Sequence, residues 1–344
     1  MLNAAAKSPR ISARRILIVL LGAIGDVTRA LPLLQRLRRG YPDARISWAV
    51  EPASAGLLHN HPSLDQVLVF DRRRGARAFL PFLRSIRAIK PDLTLDLQRH
   101  LKSGVISRAS GAPLRLGFDR RNGREGNWLF NTDTIAPQDH FTSKLQQFMR
   151  FGDWLGLPDG EVSFELVLSD EEQQHVEGLL HDVPRPFVAA FVGSSCEARL
   201  WFPERTAAVA DELARQGVHT VLVGGPADVA YANDTANAAH VALTNLAGRT
   251  ELRDLVGVFQ RSAAAFGPDS GPMHIAAAVG KPVVSLWGAT SALRSAPWGS
   301  EAGVIEGSAE CMPCYRKVCP IGRICMQHID VATVVERLRR TLSP

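Results

Sequence analysis

Residues 15–21 (RILIVLL) form an unbroken apolar, β-branched run, the pattern of a strand buried on both faces of a parallel sheet. A turn, GAIGD, follows. Residues 27–42 (VTRALPLLQRLRRGYP) then repeat apolar positions at helical spacing and stop at Gly40 and Pro42. The alternation continues, with strands predicted at 44–50, 66–70 and 93–97 and a basic helix at 76–90. The pattern restarts in the second half. Strands are predicted at 186–192, 219–223, 263–266 and 283–287, and helices at 203–216, 251–260 and 273–279, with a last helix at 331–342. Strands alternating with helices imply parallel sheets covered on both faces.

With 344 residues, this double pattern reads as two α/β domains. The expected division is a disordered tail at 1–14, one doubly wound Rossmann-like domain at 15–165, a second at 180–328, and a C-terminal helix at 329–344 free to pack back on the first domain. The linker is expected between Leu157 and Pro186, where proline and acidic residues accumulate. A ligand is expected at the C-terminal strand ends, in a central cleft that the two domains face.

Composition sharpens this picture in two places. No apolar run reaches the length of a bilayer span, and the basic leader lacks the apolar region of a signal peptide, so the expected location is cytoplasmic. The net charge of +6 conceals an asymmetry: residues 1–150 hold 25 Lys and Arg against 11 Asp and Glu, whereas residues 151–344 hold 15 against 23. A half carrying +14 suits an anionic partner, with nucleic acid, an anionic lipid surface and a phosphorylated glycolipid all compatible.

Two constellations carry candidate chemistry. In Gly22-Ala23-Ile24-Gly25-Asp26 the glycines permit a sharp turn and bring Asp26 to the start of a helix. There it serves either as a helix cap or as a general base. In Asp269-Ser270-Gly271-Pro272-Met273-His274 a strand runs into a helix with proline near its first position. Free amides around Ser270 and Gly271 would bind an anion, with His274 one turn in. Ser194, Ser195 and Arg199 follow a strand and offer hydroxyls and a guanidinium to phosphate. Gly225 ends another strand, with Asp228 beyond it as a ribose or base contact. Gln98, Lys102, Arg120 and Arg124 fit an acceptor-side basic surface. Cys311, Cys314, Cys319 and Cys325 have spacing compatible with zinc or an iron–sulfur cluster, but reduced thiols in a folded loop are the plainer reading and no metal is assigned.

These residues, in this order, resemble glycosyltransferase family 9, the ADP-heptose:lipopolysaccharide heptosyltransferases. The most specific part is DSGPMHIAAAVGKPVVSLWGAT. The resemblance implies the GT-B architecture and inversion at the sugar carbon without a metal or other cofactor. The absence of a D-x-D triplet agrees. It further implies Asp26 as base and Asp269, Ser270, Gly271 and His274 as the donor diphosphate loop. Arg199 stands where family members often carry lysine, and Asp228 where glutamate is common. The implied partners are ADP-heptose and an anionic Kdo- or heptose-bearing glycolipid at the inner face of the cytoplasmic membrane, and no nucleic acid. Two other classes compete. An NAD-dependent oxidoreductase lacks its G-x-G-x-x-G fingerprint. A nucleic-acid-binding module lacks a recognised motif, and aromatics make up only 7% of the chain.

Overall fold

The computed structural model describes residues 10–342, which divide after Glu165 into two compact units. The first unit contains β1 (Arg15–Val19), α1 (Ile24–Gly40), β2 (Arg45–Val50), α2 (Pro52–Ala55), β3 (Gln66–Val69), α3 (Ala76–Ala88), β4 (Leu93–Asp96), α4 (Leu101–Ser110), β5 (Leu114–Gly117), β6 (Asp133–Thr134) and α5 (Lys144–Trp154). All its strands pair in parallel, in the order β3-β2-β1-β4-β5-β6. The apolar run predicted for β1 is buried from Ile16 to Val19, as a central strand covered on both faces requires. Helix α1 is locked to α5 by Arg36. This side chain is only 2% exposed, and it donates to the carbonyls of Met149, Leu157 and Pro158 and to Asp153.

The second unit contains α6 (Asp170–Leu179), β7 (Phe187–Phe191), α7 (Pro203–Ala214), β8 (His219–Val223), α8 (Val229–Ala238), β9 (Thr244–Asn245), α9 (Leu252–Arg261), β10 (Ala264–Pro268), α10 (Gly271–Ala278), β11 (Val283–Trp287), α11 (Ala292–Ser295), β12 (Val304–Glu306), α12 (Ile324–Gln327) and α13 (Val331–Leu342). Its parallel sheet runs β12-β11-β10-β7-β8-β9. Counted from its own first strand, this is the same order as in the first unit, the doubly wound Rossmann order. The sheet order reverses direction beside β1 and β4 in one unit and beside β7 and β10 in the other, and such switch points leave a crevice at the C-terminal strand ends.

Several expectations need correction. Residues 1–9 of the expected tail lie outside the described residues. Residues 10–14 are tied down: the Arg10 amide donates to the Leu155 carbonyl, Ala13 is buried, and the Arg14 amide bonds Asp92. The expected linker contains α6, which belongs to the second unit and is fixed by Glu172 accepting two bonds from Arg253. Helix α13 buries Val334, Val335 and Leu338 in the core of the second unit.

Candidate functional site

Parallel pairing puts every loop that follows a strand at one edge of its sheet. In the first unit Val19 pairs with Asp96 and with Ala49, and Leu95 with Leu116, so the turns after β1, β4, β2 and β5 open together. The turn after β1 leads into α1, whose first turn carries Asp26. Gly22, at φ +154°, occupies a backbone region closed to other residues. The amides of Leu21 and Gly22 both donate to Gln98 Oε1, at 2.7 and 3.2 Å. Gln98 is in turn set by Asp96, a fully buried carboxylate that accepts from the Gln98 amide, Ser103 and Asn127. Burial pushes the Asp96 carboxyl up, against these hydrogen bonds.

The side-chain carbonyl of Gln98, expected on the acceptor side, also braces the Asp26 turn. Lys102 binds Glu51 at 2.7 Å, and the Arg124 amide donates to the Arg99 carbonyl. Arg120 is exposed, its guanidinium 5.9 Å from the Trp128 ring centre. Arg120 and the Arg124 side chain keep the exposed, cationic character expected of an anion-facing rim.

Asp26 is held by two cations. Lys144 Nζ donates to both carboxylate oxygens at 2.7 and 2.9 Å, and Arg29 Nη2 donates to Oδ1 at 2.6 Å. Burial alone would raise the carboxyl, but Lys144 and Arg29 outweigh it and hold the group far below the usual carboxylate range. Nothing in the sequence singles out Lys144. Ser143, whose hydroxyl caps α5, signals a helix start, but nothing local links that start to a carboxylate 118 positions earlier.

In the second unit Phe191 pairs with Val223, Ala190 with Phe266, and Pro268 with Leu286, which gathers the turns after β7, β8, β10 and β11. Close approach of β7 and β10 requires Gly267, since a Cβ there would lie 2.4 Å from the Phe191 carbonyl oxygen. Ser270 is the N-cap of α10, yet its hydroxyl caps nothing. The hydroxyl oxygen is buried without a hydrogen-bond partner among the described residues, beside first-turn amides that a helix leaves unbonded. Asp269 accepts from Thr290 Oγ1 at 2.6 Å and pairs with Arg199 Nη1 at 3.1 Å, so the guanidinium is drawn to the start of α10. His274 is buried one turn in. Amides, a hydroxyl and an oriented guanidinium thus gather at one helix start, the set of groups that anion binding calls for.

The flanking residues are engaged in the turns themselves. Ser194 Oγ accepts from the Cys196 amide, which leaves its O–H to donate, and Ser195 is exposed. Asp228 Oδ2 accepts from the Gly225 amide at 2.8 Å, and a Cβ on Gly193 would lie 2.1 Å from that oxygen. Burial raises the Asp228 carboxyl.

The cysteine loop braces this half-site from outside. The Ala198 amide donates to the Lys317 carbonyl, the Cys319 amide to Glu197, and the Tyr315 amide to the Ala289 carbonyl. All five cysteines are free. Among the described residues no group of three or more His, Cys, Asp or Glu is arranged to hold a metal ion.

The unspent Ser270 hydroxyl gives a direct expectation. Ser270→Ala should leave the melting temperature unchanged or raised, because it removes an unpaired buried oxygen. The same change should weaken nucleoside diphosphate binding by about 10- to 150-fold, since a bond to a charged ligand contributes roughly 1.5–3 kcal/mol. Calorimetric titration with ADP, alongside thermal unfolding, checks both halves.

Comparison with known proteins fits this two-part construction. The model of glycosyltransferase family 9 (heptosyltransferase) matches residues 79–325, and the chain belongs to that family. It is 28% identical over 296 residues to the lipopolysaccharide core heptosyltransferase OpsX of Haemophilus influenzae, covering 85% of this chain and 84% of that protein. It is 25% identical to lipopolysaccharide heptosyltransferase 3 of Escherichia coli, covering 80% and 82%. Among solved structures, a family 9 glycosyl transferase from Veillonella parvula superposes with a TM-score of 0.82 at 21% identity, over 96% of this chain and 97% of that one. The E. coli ADP-heptose lps heptosyltransferase II superposes with a TM-score of 0.78 at 22% identity, over 95% and 98%. The shared fold is the two-domain α/β arrangement of GT-B enzymes.

Proposed function

We propose that this protein transfers a heptose from ADP-heptose to an anionic glycolipid of the lipopolysaccharide inner core, working peripherally at the cytoplasmic face of the inner membrane. The observation that carries the donor half is the start of α10, where the uncommitted Ser270 hydroxyl and Arg199, oriented by Asp269, suit a diphosphate. The relatives named for heptose transfer, and the one named for ADP-heptose, support the sugar and the nucleotide.

The proposed reaction is a single displacement with inversion. Asp26 takes the proton from an acceptor hydroxyl as its oxygen attacks the anomeric carbon, while the bond to the diphosphate breaks. Negative charge grows on the leaving ADP, and Arg199, the Ser194 hydroxyl and the α10 amides are aimed at such charge. These groups suit a reaction without a metal ion. The test of the donor half is thermal stabilisation: ADP should raise the melting temperature well above UDP, GDP or NAD at equal concentration. Stabilisation by NAD alone would return the oxidoreductase reading.

A carboxylate held by two cations is a poor base, so one of them has to move. Arg29 is nearly buried on the same helix, whereas Lys144 is a quarter exposed and comes from another. An acceptor carboxylate or phosphate would draw Lys144 off and return basicity to Asp26 when substrate arrives. Lys144→Ala should therefore raise the acceptor KM and move the acid limb of the pH profile for kcat/KM to higher pH, because losing the cation raises the Asp26 pKa. Stability should follow the same sign. The folded-state value lies below the ordinary 3.8, so the pair stabilises the fold above about pH 4 and that stabilisation is lost on acidification. An acid limb at the same pH in variant and parent would contradict this.

A further inference from the structure

Residues 72–91 contain seven cations and no carboxylate. Within this stretch α3 buries Phe82 and Ile86 against Phe70 and Leu68, so its apolar side is satisfied inward. Its outward stripe, spaced i, i+3, i+7 and i+10, is Arg77, Leu80, Arg84 and Arg87. All four are exposed, and Leu80 reaches 62%. Arg72 pairs with Glu51, but among the described residues none of Arg73, Arg77, Arg84 and Arg87 forms an ion pair with a carboxylate. Cations left unneutralised around an exposed aliphatic side chain are not what a solvated helix needs for its own stability.

We infer that the outward face of α3 is a docking surface for an anionic lipid bilayer, with Arg77, Arg84 and Arg87 over the headgroups and Leu80 entering the boundary with the acyl chains. Charge complementarity gives the sign of the partner, and Leu80 separates a bilayer from a nucleic acid. A strand of nucleic acid would use exposed aromatic rings for stacking, and the aromatic residues of α3 turn inward instead. A cationic face with an aliphatic centre is the signature of an interfacial helix. The inference rests on the proposed function only in that an amphiphilic acceptor gives the protein a reason to dwell on a membrane.

The test is flotation of the purified chain with vesicles of phosphatidylcholine alone and vesicles that also contain phosphatidylglycerol. Binding is expected to the anionic vesicles, weakening as salt is raised, and not to the neutral ones. Each cation near such a surface contributes about fivefold, so the Arg77→Glu/Arg84→Glu double variant, which removes two of them, should bind at least about 25-fold more weakly. Leu80→Ser should lose several-fold at unchanged charge. Transfer to a water-soluble truncated acceptor should be unaffected in all of these variants, which also shows that they fold. Equal vesicle binding by parent and double variant would overturn the inference, as would tighter binding of a single-stranded RNA oligonucleotide that the same substitutions abolish. Parent protein that floats with anionic vesicles but transfers no heptose would sink the functional reading and leave the surface standing.

Discussion

Asp26→Asn is expected to lower kcat by about 100- to 10,000-fold, the range for loss of a positioned general base, while the affinity for ADP stays within about twofold of the parent. The expectation follows from how the fold divides its work. Asp26 sits in the first turn of α1, and its charged partners Lys144 and Arg29 belong to the same unit. The groups suited to a diphosphate belong to the second unit. Asparagine keeps the shape and the hydrogen-bonding oxygen but removes the charge, leaving two cations uncompensated, so a lower melting temperature accompanies the loss. Isothermal titration with ADP together with steady-state transfer separates the two effects. A variant that loses ADP binding in step with turnover would remove Asp26 from the role of base.

Arg199→Ala should produce the second large effect, about 100- to 1,000-fold in kcat, because it removes a donor aimed at charge that develops on the leaving group. Donor KM should rise as well, since the same guanidinium meets the ground-state phosphates. Arg199→Lys should restore part of kcat: the charge returns, but the forked geometry that also engages Asp269 does not. A role confined to holding Asp269 would show as loss of stability with turnover intact, and would not be rescued through kcat by lysine. Rates measured at saturating donor distinguish these outcomes.

Strands β1, β2, β4, β7, β8, β10 and β11 are legible because burial on both faces writes itself as continuous apolar runs, whereas the short β5 and helices α4, α5 and α8 are not. Residues 219–223 and 283–287 were placed with the bounds that β8 and β11 show. Edge strands β6 and β9, two residues each, carry no period to read. Helix α6 reads as linker because of its acidic first turn, although Ser169 and Glu172 spell its capping box. Helix α13 has a strongly amphipathic pattern, but a pattern gives the apolar face and not the surface that covers it.

At the site, what could be read was whatever follows a strand directly. Asp26 and the residues 269–274 lie next to switch points, where topology alone places ligand-facing loops. Long-range partnerships could not be read. The reach of Lys144 to Asp26, the hold of Gln98 on the Leu21 and Gly22 amides, and the grip of Asp269 on Arg199 each join segments separated by about 70 residues or more. They exist only once the sheets have formed. The Ser270 hydroxyl teaches a related point. A serine at an N-cap is ordinarily read as a cap, and only its orientation here reveals that it is unspent.

The central claim is that this chain moves heptose from ADP-heptose to a lipopolysaccharide inner-core acceptor. The measurement that meets it most directly is a donor screen, with purified protein, truncated lipopolysaccharide and ADP-, UDP- and GDP-sugars, read by mass spectrometry of the glycolipid. The account predicts a mass gain of one heptose with ADP-heptose, lost in Asp26→Asn. Turnover with UDP- or GDP-sugars only would contradict it.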